Sequence, residues 1–377
     1  MLSKTKFIKH AAILAVASLL VRLLGFLYRL PLTNMLGDEG NGIYSAGFYL
    51  YNFFLVMSSA GLPAAISKIV SEKIALEEYR NVKRTFRISI ILSGTVGLIF
   101  AIIMFISAKF FSNLIGSPDS YYTILTLSPT VFIVSIMAVF RGYFQGLGTT
   151  VPTAISQVIE QIFNAVFSIY LAYLLVKISL PLGAAGGTMG TGIGALAGLI
   201  YILVVYINRK HYINKRLSKK THKYRVESNK EIAIKIIKTA APIIAGTAIF
   251  SMTNLIDMQM VNSRLLASKA FTEKEVTSLY GQLTGKYVTL TTLPVSISTA
   301  LATAVLPSIA SSMIQKDIKT VRKKIDVSLR LTMIISIPAA IGMGVLADEI
   351  LLLLFPNHSD GGSLLKWGAL SIIFLAL

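Results

Sequence analysis

Two arginines stand inside the first long apolar stretch of the chain, where charge is costly. Arg22 and Arg29 are seven residues apart, nearly two helical turns, so they share one helix face about 10 Å apart. An arginine at the centre of a membrane helix costs roughly 2.5–3.5 kcal/mol, so it normally faces a cavity or a partner. Gly25 leaves room for a ligand or a neighbouring helix. Because guanidinium groups bind phosphate oxygens bidentately, we predict a phosphate-binding wall; the alternative is structural pairing with acids.

Asp257 is the acid best placed to pair with one of these arginines. It lies eighteen residues into the seventh apolar segment, as Arg29 does in the first, so the two should sit at similar depth. Asn254 is one turn away. An Asp257–Arg29 pair would be either a gate that ligand binding breaks or a fixed structural pair. Lys286, at the mouth of the eighth segment, is interpreted as interfacial snorkelling, with membership of a cationic wall as the alternative.

A polar stripe follows the fifth apolar segment at helical spacing. It consists of Gln157, Glu160, Gln161 and Asn164, which fall on one helix face. Such a stripe is more typical of an aqueous cavity than of a lipid-facing surface. Glu160 is also a candidate ligand for a coupling cation or proton.

Glycines mark two further motifs. The sequence RGYFQG, from Arg141 through Gln145 to Gly146, closes the fourth segment. Its glycines permit a tight turn between helices, and its arginine and aromatic residues suit a membrane interface; contact with a substrate head group is the alternative. The glycine-rich run 183–198 predicts close packing of the sixth segment against its neighbours.

These residues must be carried by membrane helices, because stretches of about twenty apolar residues recur along the chain. Hydrophobic residues make up 54% of the 377 residues, charged residues 14%, and the mean hydropathy is +0.70. A soluble domain of this size could not bury so much apolar surface. We predict an all-α, polytopic membrane protein. The predicted segments are 11–36, 43–69, 88–110, 122–147, 152–177, 184–207, 239–262, 286–312, 329–355 and 364–377.

The positive charge collects at alternate ends of these segments. With the N-terminus in the cytoplasm, 27 of the 36 Lys and Arg lie in cytoplasmic stretches, the positive-inside pattern. The net charge of +19 therefore indicates topology rather than nucleic-acid binding. The run 209–238 holds eleven of these charges and is a solvated topology anchor or a site that attracts anionic lipids. We predict an N-terminal lobe at 1–207, a basic cytoplasmic linker at 208–238 and an incomplete C-terminal lobe at 239–377.

An internal repeat supports two lobes. Pro63 matches Pro307 at an offset of 244, and Arg87 matches Arg330 at an offset of 243. Segments two and three therefore correspond to segments eight and nine, a period of six helices that gives parallel repeats. A complete second copy needs segments eleven and twelve, so we expect a truncated chain.

The sequence lacks the motifs of the common catalytic sites. It contains no cysteine, and no HExxH, Walker A loop, GxSxG elbow or paired-carboxylate motif. We therefore expect no cofactor and no enzymatic activity. A pump without a nucleotide site draws its energy from a gradient, a potential or a partner.

Three motifs resemble the polysaccharide-export and lipid II flippase branch of the MOP exporter superfamily, which includes stage V sporulation protein B-like and MurJ-type members. They are VRLLGF at 21–26, RGYFQG at 141–146 with 152–161, and 293–308. The resemblance implies two six-helix lobes forming a V around a cationic cavity, with alternating access by rocking. It also implies a cargo of an isoprenoid pyrophosphate-linked sugar.

The resemblance carries over unevenly to individual residues. Arg29 stands one residue later than the second arginine of MurJ-type proteins, and the arginine expected toward the inner end of helix two is absent. Thr289 replaces an arginine of helix eight, with Lys286 one turn earlier. The resemblance therefore implies a cationic cavity resting on Arg22, Arg29 and Lys286.

These observations together predict a flippase that moves a lipid-linked glycan precursor, such as a peptidoglycan precursor, across the bacterial cytoplasmic membrane. Its partners would be that glycolipid, membrane lipids and envelope-synthesis proteins, with roles in cell shape or sporulation. The alternative is a multidrug or organic-cation antiporter of the same superfamily, which would require buried carboxylates. A membrane enzyme would require a catalytic group and typically a large outer loop, and a scaffold without transport is the remaining class.

Overall fold

The computed structural model describes residues 4–216, 224–314 and 316–377, and within these ranges the chain is helical, with no β-strand. The predicted all-α membrane architecture is confirmed, and seven of the described helical stretches are long and apolar enough to cross a bilayer. The helices are α1 (Lys4–Ser59), α2 (Leu62–Ala75), α3 (Tyr79–Ile106), α4 (Ala108–Leu114), α5 (Tyr121–Gly146), α6 (Val151–Leu175), α7 (Leu180–Arg216), α8 (Asn229–Ala267), α9 (Glu273–Gly281), α10 (Val288–Ile314), α11 (Ile318–Val345), α12 (Ala347–Leu354), α13 (Gly362–Gly368) and α14 (Ser371–Ala376). A π-helical turn at Gln282–Tyr287 joins α9 to α10.

The first and last predicted segments differ most from the helices found. Segments one and two are joined in α1, and the end of segment two belongs to α2, which starts at Leu62 with a proline in its first turn. Proline is well tolerated there because the first helical N–H groups need no partner. The last segment is divided between α13 and α14.

A sharp bend at Gly37 divides α1. Its backbone angles are φ 65° and ψ −173°, a combination that is essentially restricted to glycine. The Asn41 amide donates to the Gly37 carbonyl oxygen at 2.6 Å and to the Thr33 carbonyl oxygen at 3.3 Å, which ties the two sides of the bend together. The bend brings residues far apart in α1 into contact.

The predicted close packing of the glycine-rich run is confirmed by the contact between α7 and α6. A β-carbon added at three of four glycines on one face of α7 would lie 2.3 to 2.6 Å from backbone atoms of α6, and at the fourth 3.1 Å. Only glycine permits so close an approach. The four are Gly186, Gly190, Gly194 and Gly198.

The glycines of the RGYFQG motif have a different role from the predicted one. Gly142 and Gly146 are helical and lie against α2, where a β-carbon would meet the Pro63 carbonyl oxygen at 2.8 Å and Val70 Cβ at 2.6 Å. The turn that follows α5 uses Gly148 instead, at φ 86°. The prediction of a turn glycine inside the motif was wrong, because local sequence does not show which helix packs alongside.

The described end of the basic linker is bound to the α2–α3 turn through Glu227 and backbone groups, while its basic side chains stay exposed. Lys73, only 1% exposed, forms an ion pair with Glu227. The Glu227 backbone N–H donates to the Asn81 side-chain oxygen at 3.1 Å, and the Asn81 amide donates to the Arg225 carbonyl oxygen at 3.1 Å. The first turns of α8 then join the apolar core formed with α2, α3 and α5. The start of α8 is thereby anchored to the N-terminal half of the chain, while 217–223 lie outside the described residues.

Candidate functional site: a cationic cavity

A cavity of about 320 Å³ lies between the two parts of α1 and the start of α10. Arg22 and Arg29 both line it, so the predicted shared helix face is present. No acidic residue is among the described residues that line it. The lining comprises Arg22, Gly25, Phe26, Tyr28 and Arg29 before the bend, Tyr44, Ser45, Phe48 and Tyr49 after it, and Thr284, Val288, Thr289, Thr292, Leu293 and Ser296. Two cations among aromatic rings and hydroxyl groups suit an anionic ligand that also carries polar, sugar-like surface.

Arg22 joins α1 to α10 at one side of the cavity. Its Nη1 donates to the Ser296 carbonyl oxygen at 3.1 Å. A single hydrogen bond leaves most of the five guanidinium donors available for another acceptor. At Gly25, a β-carbon would lie 3.5 Å from the Gln161 amide nitrogen of α6. The absence of a side chain at Gly25 thus leaves room both for the cavity and for a polar side chain of the neighbouring helix, as predicted.

Arg29 is held by an aromatic ring and not by Asp257. Its guanidinium carbon lies 4.2 Å from the centre of the Tyr44 ring, and no hydrogen bond or ion pair joins it to another described residue. Asp257 and Asn254 have exposed side chains on α8, and neither lines the cavity. The predicted Asp257–Arg29 pair is therefore absent from this conformation, because the bend at Gly37 turns Tyr44 onto Arg29.

The polar stripe of α6 mostly connects helices instead of lining the cavity. The Asn164 side-chain oxygen accepts from Ser168 at 2.8 Å and from Thr191 at 3.3 Å. The Gln157 side-chain oxygen is buried and has no hydrogen-bond partner in the described part of the chain. Neither residue, nor Glu160, is among the cavity-lining residues described.

Glu160 is paired with the arginine of the RGYFQG motif. Arg141 donates from Nη2 to the Glu160 carboxylate at 2.7 Å and from Nε to the Ser156 hydroxyl at 3.0 Å. The pair is mostly buried, with side-chain exposures of 13% and 27%. It clamps α5 to α6, and Gln145 is half-buried one turn further along α5. These contacts favour the structural interpretation of Arg141.

Lys286 is buried, so its interpretation as a snorkelling lysine was wrong. It is 2% exposed, and its Nζ lies 2.7 and 2.9 Å from the two carboxylate oxygens of Asp38. It also donates to the Asp360 carbonyl oxygen at 2.8 Å, while the Gln282 amide donates to Asp38 at 3.0 Å. Lys286 does not line the cavity; it ties the bend of α1 to the π-helical turn and to the loop after α12.

Sequence reasoning missed Asp38 and Tyr44. Asp38 follows Gly37 in what was interpreted as a loop between two segments, so its burial was not expected. Tyr44 is one of sixteen tyrosines, and its spacing of four from Phe48 is ordinary for a helix. The available signal was Gly37 itself, a glycine between two apolar stretches that permits a bend.

Comparisons with known proteins identify the family and the fold of this chain. A family model described as "Polysaccharide biosynthesis protein" matches residues 7–313, and a second model of the same description matches 284–359. The chain belongs to the polysaccharide biosynthesis protein family. The resemblance to polysaccharide-export proteins is thereby confirmed.

Two curated relatives from Bacillus subtilis (strain 168) are similar to this family member over nearly its whole length. "Stage V sporulation protein B" is 28% identical over 361 residues, which cover 94% of this chain and 68% of the relative. "Lipid II flippase MurJ" is 26% identical over 383 residues, covering 96% and 69%. This polysaccharide biosynthesis protein is therefore a membrane exporter rather than an enzyme.

A solved structure of a MATE family transporter of the MOP superfamily, in an inward-facing conformation, has the same fold. The TM-score is 0.69 at 16% identity, over 94% of this chain and 78% of the other. At this identity the likeness concerns the fold alone. The polysaccharide biosynthesis protein is a multi-pass membrane protein with a MATE-like transporter fold.

Proposed function

We propose that this protein is a flippase that carries a lipid-linked oligosaccharide, bound through pyrophosphate to a polyprenyl chain, from the inner to the outer leaflet of the bacterial cytoplasmic membrane. A peptidoglycan precursor is the cargo the lipid II flippase relative suggests. The observation that carries the proposal is the cavity lined by Arg22 and Arg29 without an acidic residue among its described lining.

The proposed cargo poses one physical problem, which the cavity addresses. The polyprenyl tail partitions readily into the hydrocarbon core of the bilayer. The pyrophosphate is charged and the sugars are strongly hydrated, so the head group does not. In the proposed mechanism Arg22 and Arg29 neutralise the phosphates, while hydroxyl groups such as those of Thr289 and Thr292 meet the sugar. The head group then crosses by alternating access between two lobes, without covalent chemistry. The predicted lobes, the cytoplasmic N-terminus and contacts with envelope-synthesis proteins belong to the same proposal.

An organic-cation antiporter is the alternative because the fold is shared with a multidrug transporter. A cation would require carboxylates in its binding site, whereas the described lining of this cavity holds two arginines. Asp257 lies outside the lining. The charge of the cavity therefore supports an anionic cargo over a cationic one.

Native mass spectrometry of the protein purified in mild detergent tests the proposal. We expect a polyprenyl-pyrophosphate glycan to co-purify with the wild type and to fall by about 100-fold or more in Arg22→Ala/Arg29→Ala, since each charge-assisted contact contributes about 1.5–3 kcal/mol. Arg209→Ala/Arg322→Ala, which removes two exposed arginines, matches the change in net charge and should retain the lipid. Wild-type protein that carries only ordinary phospholipid would contradict the flippase proposal and favour the antiporter.

The Arg141–Glu160 pair gives a separate prediction. Arg141→Ala should lower the free energy of unfolding by about 1–3 kcal/mol, because it leaves a largely buried carboxylate without its partner. The amount of bound lipid per folded molecule should stay unchanged. Denaturant titration and native mass spectrometry measure the two quantities, with Arg209→Ala as the exposed control. Loss of lipid at unchanged stability would instead support direct contact of Arg141 with the cargo.

A further inference from the structure

In the contact between Arg29 and Tyr44, packing against neighbouring residues fixes the position of the Tyr44 ring. Tyr44 is 1% exposed, and its ring stacks on Phe48 with centres 5.8 Å apart and an angle of 16° between planes. Gly187 of α7 lies behind it, where an added β-carbon would be 3.3 Å from two ring carbons. The ring therefore has little freedom to move, and the guanidinium lies against a fixed surface.

Contact with an aromatic ring leaves the hydrogen-bond donors of Arg29 available in a way that ion pairing does not. The five N–H donors of a guanidinium point outward in its own plane. A carboxylate partner accepts hydrogen bonds from those donors, whereas an aromatic ring attracts the cation without accepting a hydrogen bond of that strength. Since Arg29 has no hydrogen bond or ion pair in the described part of the chain, its N–H donors are free for an oxyanion while the guanidinium group is held beside the ring.

This arrangement depends on the bend in α1. Residues 29 and 44 would be about 22 Å apart along a straight α-helix. At Gly37 the chain takes backbone angles that other residues rarely adopt, and the two parts of α1 converge on one cavity. The anion-binding side chain and the ring that holds it thus belong to one helix.

We propose that Tyr44 is a positioning residue that presents the N–H donors of Arg29 to a phosphate oxyanion of the cargo. The proposal rests on the proposed function, because it assigns Arg29 an anionic ligand. A long, flexible arginine that is oriented before the ligand arrives loses less rotamer freedom on binding. Tyr44 therefore acts through Arg29 and need not touch the ligand.

A series of ring substitutions at position 44 tests the inference with undecaprenyl diphosphate as the probe. The full chain in detergent is titrated by native mass spectrometry. Tyr44→Phe should bind within about twofold of wild type, and Tyr44→Leu should bind about tenfold more weakly, because the attraction between cation and ring is lost. Replacement of Tyr44 by phenylalanines with one, two and three ring fluorines should weaken binding stepwise, since fluorine withdraws the electron density that attracts the guanidinium. A residue that only fills space would be insensitive to this series.

An Arg29→Ala background supplies the decisive control. There, Tyr44→Leu and the fluorinated series should have no further effect on the dissociation constant, because the side chain through which Tyr44 acts is gone. Phe26→Leu serves as the matched variant: Phe26 also lines the cavity, but its ring packs on the apolar cluster around Leu290 and Phe355, so its effect should be the same with and without Arg29.

The outcomes separate the two proposals. If wild type binds the probe through Arg22 and Arg29 but the fluorinated variants all have the same dissociation constant as wild type, the positioning role of Tyr44 is overturned and the proposed function stands. If Tyr44→Leu weakens binding equally in the Arg29→Ala background, the role is likewise overturned. If wild type does not bind the diphosphate, both proposals fail. Should Tyr44→Leu not fold, the fluorinated series alone decides, because it preserves the shape of the ring.

Discussion

Lys286→Met is expected to lower the free energy of unfolding by about 3–5 kcal/mol, because it leaves the buried Asp38 carboxylate without its partner. Asp38 is 8% exposed, and the Lys286 ammonium contacts both of its oxygens. The Gln282 amide is the remaining hydrogen-bond donor to that carboxylate among the described residues. A neutral amide cannot compensate a buried negative charge.

Unfolding in mixed micelles titrated with a denaturing detergent measures this loss. Lys274→Met is the matched control, since Lys274 is exposed on α9 at the same end of the molecule, and it should change stability by less than about 0.5 kcal/mol. Asp38→Asn/Lys286→Met should recover much of the loss, because both charges are removed together. Equal stability of Lys286→Met and Lys274→Met would show that the pair is not buried as described.

The second large effect is expected at the contact between α6 and α7. A β-carbon at Gly190 would lie 2.2 Å from the Ser168 hydroxyl oxygen and 2.3 Å from its backbone nitrogen. The backbone of Ser168 is fixed within α6 and cannot move away by itself, so Gly190→Ala must push the two helices apart. This should lower the free energy of unfolding by about 3 kcal/mol or more.

Gly246→Ala is the control for this substitution. Gly246 lies in α8 with no atom within 4 Å of an added β-carbon. Alanine there should change stability by less than about 1 kcal/mol, in the stabilising direction expected from helix propensity. The same denaturation assay compares the two. A Gly190→Ala protein as stable as Gly246→Ala would contradict the close approach of α6 and α7.

The helical architecture and the two central arginines could be predicted from sequence because both depend on local pattern. Hydropathy over twenty residues locates membrane helices, and a spacing of seven places Arg22 and Arg29 on one face. The partners of charged residues could not be predicted. Lys286 pairs with an acid 248 positions away in the chain. Nothing in the local sequence of either residue indicates that the two are in contact.

Backbone geometry explains the remaining errors. Asp257 was matched to Arg29 by depth in two straight helices, but α1 is bent, and the bend supplies Tyr44 as the partner. Gly142 and Gly146 were interpreted as turn residues, although a helix interface uses glycine for the same lack of a side chain. In each case the error concerned the element that contacts the residue, which local sequence does not identify.

The unbalanced charge of the cavity has an electrical consequence. Voltage across a membrane does about 2.3 kcal/mol of work per elementary charge per 100 mV. Empty, the cavity presents two guanidinium charges with no acid in its described lining; loaded with a diphosphate, it is close to neutral. In the proposed direction of transport, an interior-negative potential therefore acts little on the outward step and draws the empty arginines back toward the cytoplasm. The resting voltage of the cell would then drive the return of the empty protein.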